Sequence, residues 1–261
     1  MVLDRDFYTS HIKNKEKVFL MRRLIDKIEV VLTRHLLEST DFLDPYERVL
    51  AKSILNRFKD ISYSEQGQGP DSERQIILIY PNYHKDFNIR EYISALRISG
   101  DIQNLNHRDC LGSILGLGIK RDRIGDILVY EDYVDIVVKG EISNYILMNL
   151  ERIADKKVSV REISLDSLDT KEMSFSEIKK TLSSYRLDIY LGAAYNLSRN
   201  ESIDIIKSDR VKVNWEPVNK PSREVTVGDT ISVKGLGRSV FYSVDGISKK
   251  GKIRANIRII I

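Results

Sequence analysis

Between residues 9 and 59 the apolar positions fall on one helical face. Leu24, Ile28, Val31, Leu32 and Leu36 recur at spacings of three and four, the repeat of an amphipathic helix. Asp44-Pro45-Tyr46-Glu47 predicts the opening of a second helix, because aspartate caps, proline suits the first helical position and the glutamate can reach back to the cap amide. The region reads as a small helical bundle with a solvated charged face. Residues 62–73 hold two glycines and a proline with no apolar periodicity, and predict a loop between two units.

From residue 74 the period changes. Residues 74–80 form a β-rich run closed by Pro81, 92–98 an apolar run read as strand, and 108–117 a short helix. Strands are predicted at 124–129 and 134–138 about a polar turn, then a helix at 144–153 and an alternating strand at 158–163. Two strand–helix–strand units in succession predict an α/β sandwich of the split βαβ kind. That topology is compatible with an RNA-recognition fold, but the aromatic-rich central strand that such a fold uses for stacking bases is missing. Residues 111–138 offer only Tyr130 and Tyr133, both outside the apolar runs.

Further on, Ser198-Arg199-Asn200-Glu201 satisfies the Ser-x-x-Glu capping box and is followed by Ile203 and Ile206, so a helix starts at Ser198. Its free amides and positive dipole end are a natural phosphate site. Residues 210–214 alternate, a strand with its basic side chains on one side; 225–233 read as strand, turn and strand; and 252–259 as a strand with Lys252, Arg254 and Arg258 on one face. Helix end, loop and strand are expected to present one basic surface.

Composition narrows the classes. No apolar run in the 261 residues approaches a membrane span, the longest being 76–80, and the acidic start Met1-Val2-Leu3-Asp4-Arg5-Asp6 is unlike a signal peptide; a cytosolic protein is expected. A single cysteine, Cys110, excludes an internal disulfide and a zinc site built of several thiolates. Residues 181–261 carry 14 Lys and Arg against 8 Asp and Glu, net +6, while the first 180 carry 28 against 30, net −2. A basic terminal module on a near-neutral body is the electrostatic footprint of contact with a polyanion.

Candidate catalytic motifs fail on inspection. His107-Arg108-Asp109 copies the kinase catalytic triplet, but Ile114 stands where asparagine is needed and no Asp-Phe-Gly follows. The glycine-rich stretch 112–118 lacks the Lys-Ser/Thr of a phosphate loop and reads as a helix terminus. His107 and Cys110 have metal-like spacing without a second pair of ligands, and the histidines at 11, 35, 84 and 107 are scattered. Neither a cofactor nor a metal is expected.

Arg186-Leu187-Asp188, Leu197-Ser198-Arg199, Ile206-Lys207, Val211-Lys212-Val213-Asn214, Lys220-Pro221-Ser222, Val227-Gly228-Asp229 and Ile231-Ser232-Val233 resemble, in order and spacing over about 55 residues, the alpha-L RNA-binding domain. Trp215 departs from the pattern, since many such domains carry glycine after Val-Asn. Phe42-Leu43-Asp44-Pro45, Glu73-Arg74-Gln75, Ala95-Leu96-Arg97-Ile98, His107-Arg108-Asp109 with Leu111-Gly112, and Ile124-Gly125-Asp126-Ile127 extend the resemblance to the YlmH family over nearly the whole chain. The resemblance implies an α+β protein with an N-terminal helical domain (1–66), an RRM-like α/β sandwich (67–170) and a C-terminal alpha-L domain (180–261). It also implies binding of ribosomal or transfer RNA on the large ribosomal subunit, in rescue of stalled nascent chains, and a link with division through gene neighbourhood.

The RNA-binding candidates are Arg186, Ser198, Arg199, Lys207, Arg210, Lys212, Lys220, Ser222, Arg223, Lys234 and Arg238, with Arg74, Arg108, Lys120 and Arg121 as a second contact on RNA or ribosome. A non-catalytic monomer with no membrane partner is expected. Two other readings stand beside it. One is an RNA-modifying enzyme of the pseudouridine synthase or methyltransferase type, because Arg186-Leu187-Asp188 mimics a synthase motif; no glycine precedes it, however, and no Gly-x-Gly cofactor loop follows a strand. The other is a division-associated adaptor that uses the N-terminal helices.

Overall fold

The computed structural model describes residues 2–69, 72–84, 86–169 and 174–260. The end of the middle domain expected at residue 170, the end of the chain at 261, and positions 70 and 71 of the expected linker lie outside the described residues. Helix and strand are mixed throughout, an α+β architecture, and the chain divides into two compact units, Met1–Lys171 and Glu172–Ile261.

In the first unit, α1 (Arg5–Thr9), α2 (Lys15–Arg34) and α3 (Pro45–Leu55) accompany a three-stranded antiparallel sheet of order β1 (Glu38–Ser39), β3 (Ile76–Pro81), β2 (Ile61–Gln66). Asn14 caps α2 by accepting from the Glu16 and Lys17 amides, and Leu24, Ile28 and Val31 of the expected stripe are buried. The helix stops at His35, whose φ is 56°, so Leu36 falls outside it and is exposed. The capping box at α3 forms as read: Glu47 N–H donates to Asp44 Oδ1 (2.8 Å) and Asp44 N–H to Glu47 Oε2 (2.7 Å).

The reading of 62–73 as an inter-unit loop needs correction. Residues 61–66 are strand β2, which pairs with β3 from Ile61↔Pro81 to Gln66↔Ile76, so only the turn of a hairpin remains and the expected boundary between 66 and 67 falls inside that hairpin. Ser62, Ser64, Glu65 and Gln66 gave no apolar signal because the strand is half-buried, and its stabilisation comes from the ladder.

Strand β3 accounts for the longest apolar run in the chain. Ile77 and Ile79 pack with α2 and α3, whereas Ile76 and Leu78 pack with Phe42, Ile93 and Val137. A strand covered on both faces has no polar face to show. Phe42 enters this second layer beside Gly125, where a Cβ would lie 2.8 Å from the ring; an alanine there would have to displace the phenyl group.

The middle elements are β4 (Ile93–Gly100), α4 (His107–Gly116), β5 (Ile124–Val129), β6 (Val134–Lys139), α5 (Gly140–Asn149), β7 (Arg152–Ile153) and β8 (Lys156–Ile163). They form a sheet of order β5-β6-β4-β8-β7 with antiparallel neighbours, the split βαβ arrangement. Helix α5 begins four residues before the expected position, directly at the end of β6, and 152–153 form a short strand instead of its last turn. Leu96, Ile98, Val134, Ile136 and Val138 face the two helices.

The other face of this sheet is covered within the unit along β4 and β6, while Lys157, Ser159 and Arg161 of β8 stay exposed. Ile93 and Val137 meet the β3 layer, and Lys139 donates to Ser39 Oγ (2.7 Å) and Thr40 O (3.1 Å). Farther along, Arg97 grips the fully buried Asp135 with two bonds of 2.7 Å, and its guanidinium lies 3.8 Å from the Tyr133 ring centroid. A surface that RNA-recognition folds use for stacking bases is here given to packing and an ion pair, which is why β4 and β6 carry no aromatic residue.

Burial pushes the Lys139 ammonium down to about 8, only partly offset by Asp41 and Glu38. Below pH 8 both folded and unfolded chains hold this proton and the desolvation cost is fully present. Between pH 8 and 10.5 the unfolded chain binds more protons, so stability rises with pH, by about 3 kcal/mol at 1.36 kcal/mol per unit. The Cys110 thiol, raised to about 11 by burial, acts with the opposite sign between pH 9 and 11. Chemical denaturation at pH 7.5 and 9.5 should therefore show a gain in the unaltered chain relative to Lys139→Met; equal profiles would refute it.

In the second unit, β9 (Phe175–Leu182), α6 (Leu187–Tyr195), α7 (Arg199–Lys207), β10 (Val211–Val213), β11 (Glu216–Pro217), β12 (Thr230–Val233), β13 (Gly237–Ile247) and β14 (Ile253–Ile260) build one sheet of order β11-β10-β12-β13-β14-β9. Helices α6 and α7 cover one face through Leu187, Tyr190, Leu191, Ala194 and Ile206. The start expected at residue 180 comes too late, because β9 pairs with β14 along its whole length, Phe175↔Ile260 to Leu182↔Ile253. Residues 225–229 are not a strand: Val225 is buried, but only Glu224 makes a bridge there, to Arg186.

Candidate nucleic-acid interface

The start of α6 gathers four of the candidate cations, Arg186, Arg199, Lys220 and Arg223. The loop 220–224 returns to it, with Leu187 N–H donating to Arg223 O (2.8 Å) and Asp188 N–H to Pro221 O (3.2 Å). This sets Lys220, Ser222 and Arg223 beside Arg186, and all but the half-buried Arg186 are exposed. Asp188 is buried and holds Arg186 by two bonds (2.9 and 3.2 Å), with Arg199 Nε 3.5 Å from its second oxygen. The carboxylate orients both guanidinium groups and holds the Arg186 proton more firmly, while the Arg199 side chain stays 71% exposed. Asp188 thus braces the fold.

Ser198 caps α7 as read: its Oγ accepts from Glu201 N–H (3.3 Å), and Glu201 accepts from Ser198 N–H (2.8 Å). The hydroxyl is committed to the cap. Glu201, lowered by its bonds to Ser198, already supplies negative charge at this helix end, which the dipole favours. Lys207 is exposed in the last turn of α7. Arg210 donates to Lys234 O (2.6 Å) and its carbonyl accepts from Lys234 N–H (2.9 Å), which joins these two cations at the β12–β13 turn.

Lys212 and Arg238 do not join this surface. Val211, Val213, Ile231, Val233, Ser239 and Phe241 are buried on the side facing the helices, so strand alternation turns Lys212, Ser232 and Arg238 to the opposite face. The single basic surface read from the sequence is two surfaces. Trp215 sits in the two-residue turn from β10 to β11, where Asn214 and Trp215 have φ of 48° and 65°. Both central positions of such a turn favour glycine or asparagine, which explains glycine in similar domains. Here the ring lies 5.6 Å from the Arg238 guanidinium.

The second contact on the body also divides. Arg74 donates to Ile124 O (3.1 Å) and Phe42 O (2.7 Å), and Arg121 to Ile124 O (2.5 Å) and Gly125 O (3.3 Å). Burial lowers Arg121 to about 10. Asp126 accepts from the Glu73 and Arg74 amides (2.9 and 3.0 Å), and its burial raises its own proton affinity. Arg74 thus clamps the end of the hairpin to the start of β5, while Arg121 closes the local turn that leads into β5; neither is the exposed loop residue that was expected. Arg108, in the first turn of α4, and Lys120 are exposed.

Among the described residues no group of three or more His, Cys, Asp and Glu could hold a metal ion, and no helix is long and apolar enough to cross a membrane.

Three family models match the chain: "YlmH, N-terminal" over residues 15–84, "Putative RNA-binding domain in YlmH" over 82–167, and "S4 domain" over 186–231. "Ribosome-associated protein quality control protein P2" of Bacillus subtilis (strain 168) is 30% identical over 253 residues, 95% of this chain and 96% of its own length. A solved structure described as "Cell division protein ylmH from Streptococcus pneumoniae" is 26% identical with a TM-score of 0.53, covering 60% of this chain and 97% of the other.

Proposed function

Since the chain belongs to the YlmH family, we propose that it is a cytoplasmic RNA-binding factor that acts on the ribosome without carrying out chemistry. The observation that carries this reading is the cluster of Arg186, Arg199, Lys220 and Arg223 around the start of α6, preset by the buried Asp188. Preoriented guanidinium groups suit phosphate geometry. The Bacillus relative's name supports a role in ribosome-associated protein quality control; action on the large subunit with its ribosomal and transfer RNA, in rescue of stalled nascent chains, is the finer part of the proposal. A catalytic role for Arg186-Leu187-Asp188 is disfavoured by a carboxylate enclosed between two arginines. Incubation with ribosomal or transfer RNA, with or without S-adenosylmethionine, should leave every nucleoside unmodified.

Phosphate contacts position a protein without specifying sequence, so docking on a ribosome calls for a second contact on the body, which we assign to Arg108 and Lys120. Two linked weak contacts multiply through effective concentration. The full chain should cosediment with large subunits, and Arg108→Glu with Lys120→Glu should reduce cosedimentation several-fold while leaving affinity for bare RNA unchanged. Sedimentation with small subunits only, or recovery of division proteins in place of ribosomes, would defeat the assignment.

A further inference from the structure

The face of the second sheet opposite α6 and α7 is built as an ordered strip. Register places Lys212, Ser232, Arg238, Ile260 and Phe175 side by side in one row across five strands, and Thr230, Val240, Arg258 and Glu177 in the next. In the second row the Arg258 guanidinium is held between two rings, its Cζ 3.2 Å from the Tyr242 centroid and 4.1 Å from that of Phe175. Tyr242 stands at a register shift of the β13–β14 ladder, a device that re-aims a side chain. Although these rings touch Arg258, Phe175 and Tyr242 remain 46% and 43% exposed. Toward the β10 side the Trp215 ring lies 5.6 Å from the guanidinium of Arg238, the central residue of the first row.

The charge on this face selects the occupant. Alternation brings Lys179, Lys212, Arg238, Arg254 and Arg258 to it, against Glu177, which pairs with Arg258 (3.3 Å), and Asp245, 3.8 Å from Lys179. Five cations stand against two carboxylates on this face, an excess of positive charge that an anionic partner complements and an apolar one does not. A polyanion with flat apolar groups satisfies cations and rings together, the combination by which proteins hold single strands. Five strands at about 4.8 Å spacing make the row about 19 Å long, room for about three extended nucleotides.

We propose that this open sheet face is a second RNA-contact surface, which takes a short unpaired stretch by stacking bases on Tyr242 and Phe175 and on Trp215, with Lys212 and Arg238 on the phosphates. It extends the RNA-binding reading above. The helical side would hold structured RNA through its backbone, and the sheet side would read unpaired bases.

The test uses the full chain and an eight-residue single-stranded oligouridine, in which one base is 5-iodouridine for photocrosslinking. Crosslinks mapped by mass spectrometry should fall on Tyr242 or Phe175. By fluorescence anisotropy, Tyr242→Leu with Phe175→Leu should weaken oligouridine binding roughly tenfold or more without changing the salt slope, because stacking releases no counterions. Affinity for a base-paired hairpin should be unchanged, which also reports that the double variant is folded. Arg199→Glu with Lys207→Glu should show the reverse pattern. Crosslinks confined to the α6–α7 side, or an unchanged oligouridine affinity in the leucine variant, overturns the second surface and leaves the first standing. Loss of ribosome cosedimentation in that variant with intact oligouridine binding would assign the face to a protein instead. No binding of either RNA by the unaltered chain would overturn both.

Discussion

Reversing two charges, Arg199→Glu together with Lys207→Glu, is expected to weaken binding of structured RNA about a hundredfold or more at low salt. Both side chains are exposed on the helical side, and a charge near a phosphate in water is worth roughly 1 kcal/mol. Two reversals change four units of charge. The slope of log K against log salt should also fall by about 1.8, at roughly 0.9 per phosphate on a duplex. The fold should persist, because Arg186 still holds Asp188 by two bonds, and circular dichroism checks this. The same exchange at Lys13 and Lys15, exposed on the first unit, serves as the comparison. If both pairs weaken binding equally, net charge alone governs binding and the α6–α7 surface has no special part in it.

Asp135→Ala should be the most destabilising single change considered, costing about 3–5 kcal/mol, because it leaves the Arg97 guanidinium largely covered and without its carboxylate. For a unit of this size that corresponds to roughly 10 °C in melting temperature. Replacing both partners, Arg97→Leu with Asp135→Leu, should recover most of the loss, since an apolar pair removes both desolvation costs. A loss under about 1 kcal/mol in Asp135→Ala would mean that water reaches this face freely, and would reopen it as a stacking surface.

Local chemistry made some of this legible in advance. The capping boxes at Asp44 and Ser198 lie within four residues, and both formed. The split βαβ order followed from apolar runs that face a helix layer. Strand β2 was missed because its partner, not its side chains, makes it a strand, and β9 because its ladder joins positions as far apart as Phe175 and Ile260. For the site, the sequence supplied the cations but not their sides. Lys212 and Arg199 look alike in a charge count, and only pairing with Ser232 turns Lys212 away from the helices. Arg74 looked like a free loop cation, and the carbonyls it binds belong to residues 32 and 50 positions away. Tyr242 and Phe175 gave no signal, since nothing local marks a ring as the neighbour of Arg258.

Strand β3 also governs the order of events when the chain is made. Its two faces are completed at different times: Ile77 and Ile79 find α2 and α3 already synthesised, but Ile76 and Leu78 wait for Val137, roughly 60 residues later. At 5–20 residues per second an emerging chain would carry a helical layer with an uncovered isoleucine-leucine face for several seconds. Neither the N-terminal portion nor the middle portion is then a finished body, and a break placed between them would strand that face permanently. The first unit is complete only after β8 has paired with β4 and Leu165 and Leu168 have joined the layer of Ile76 and Leu78.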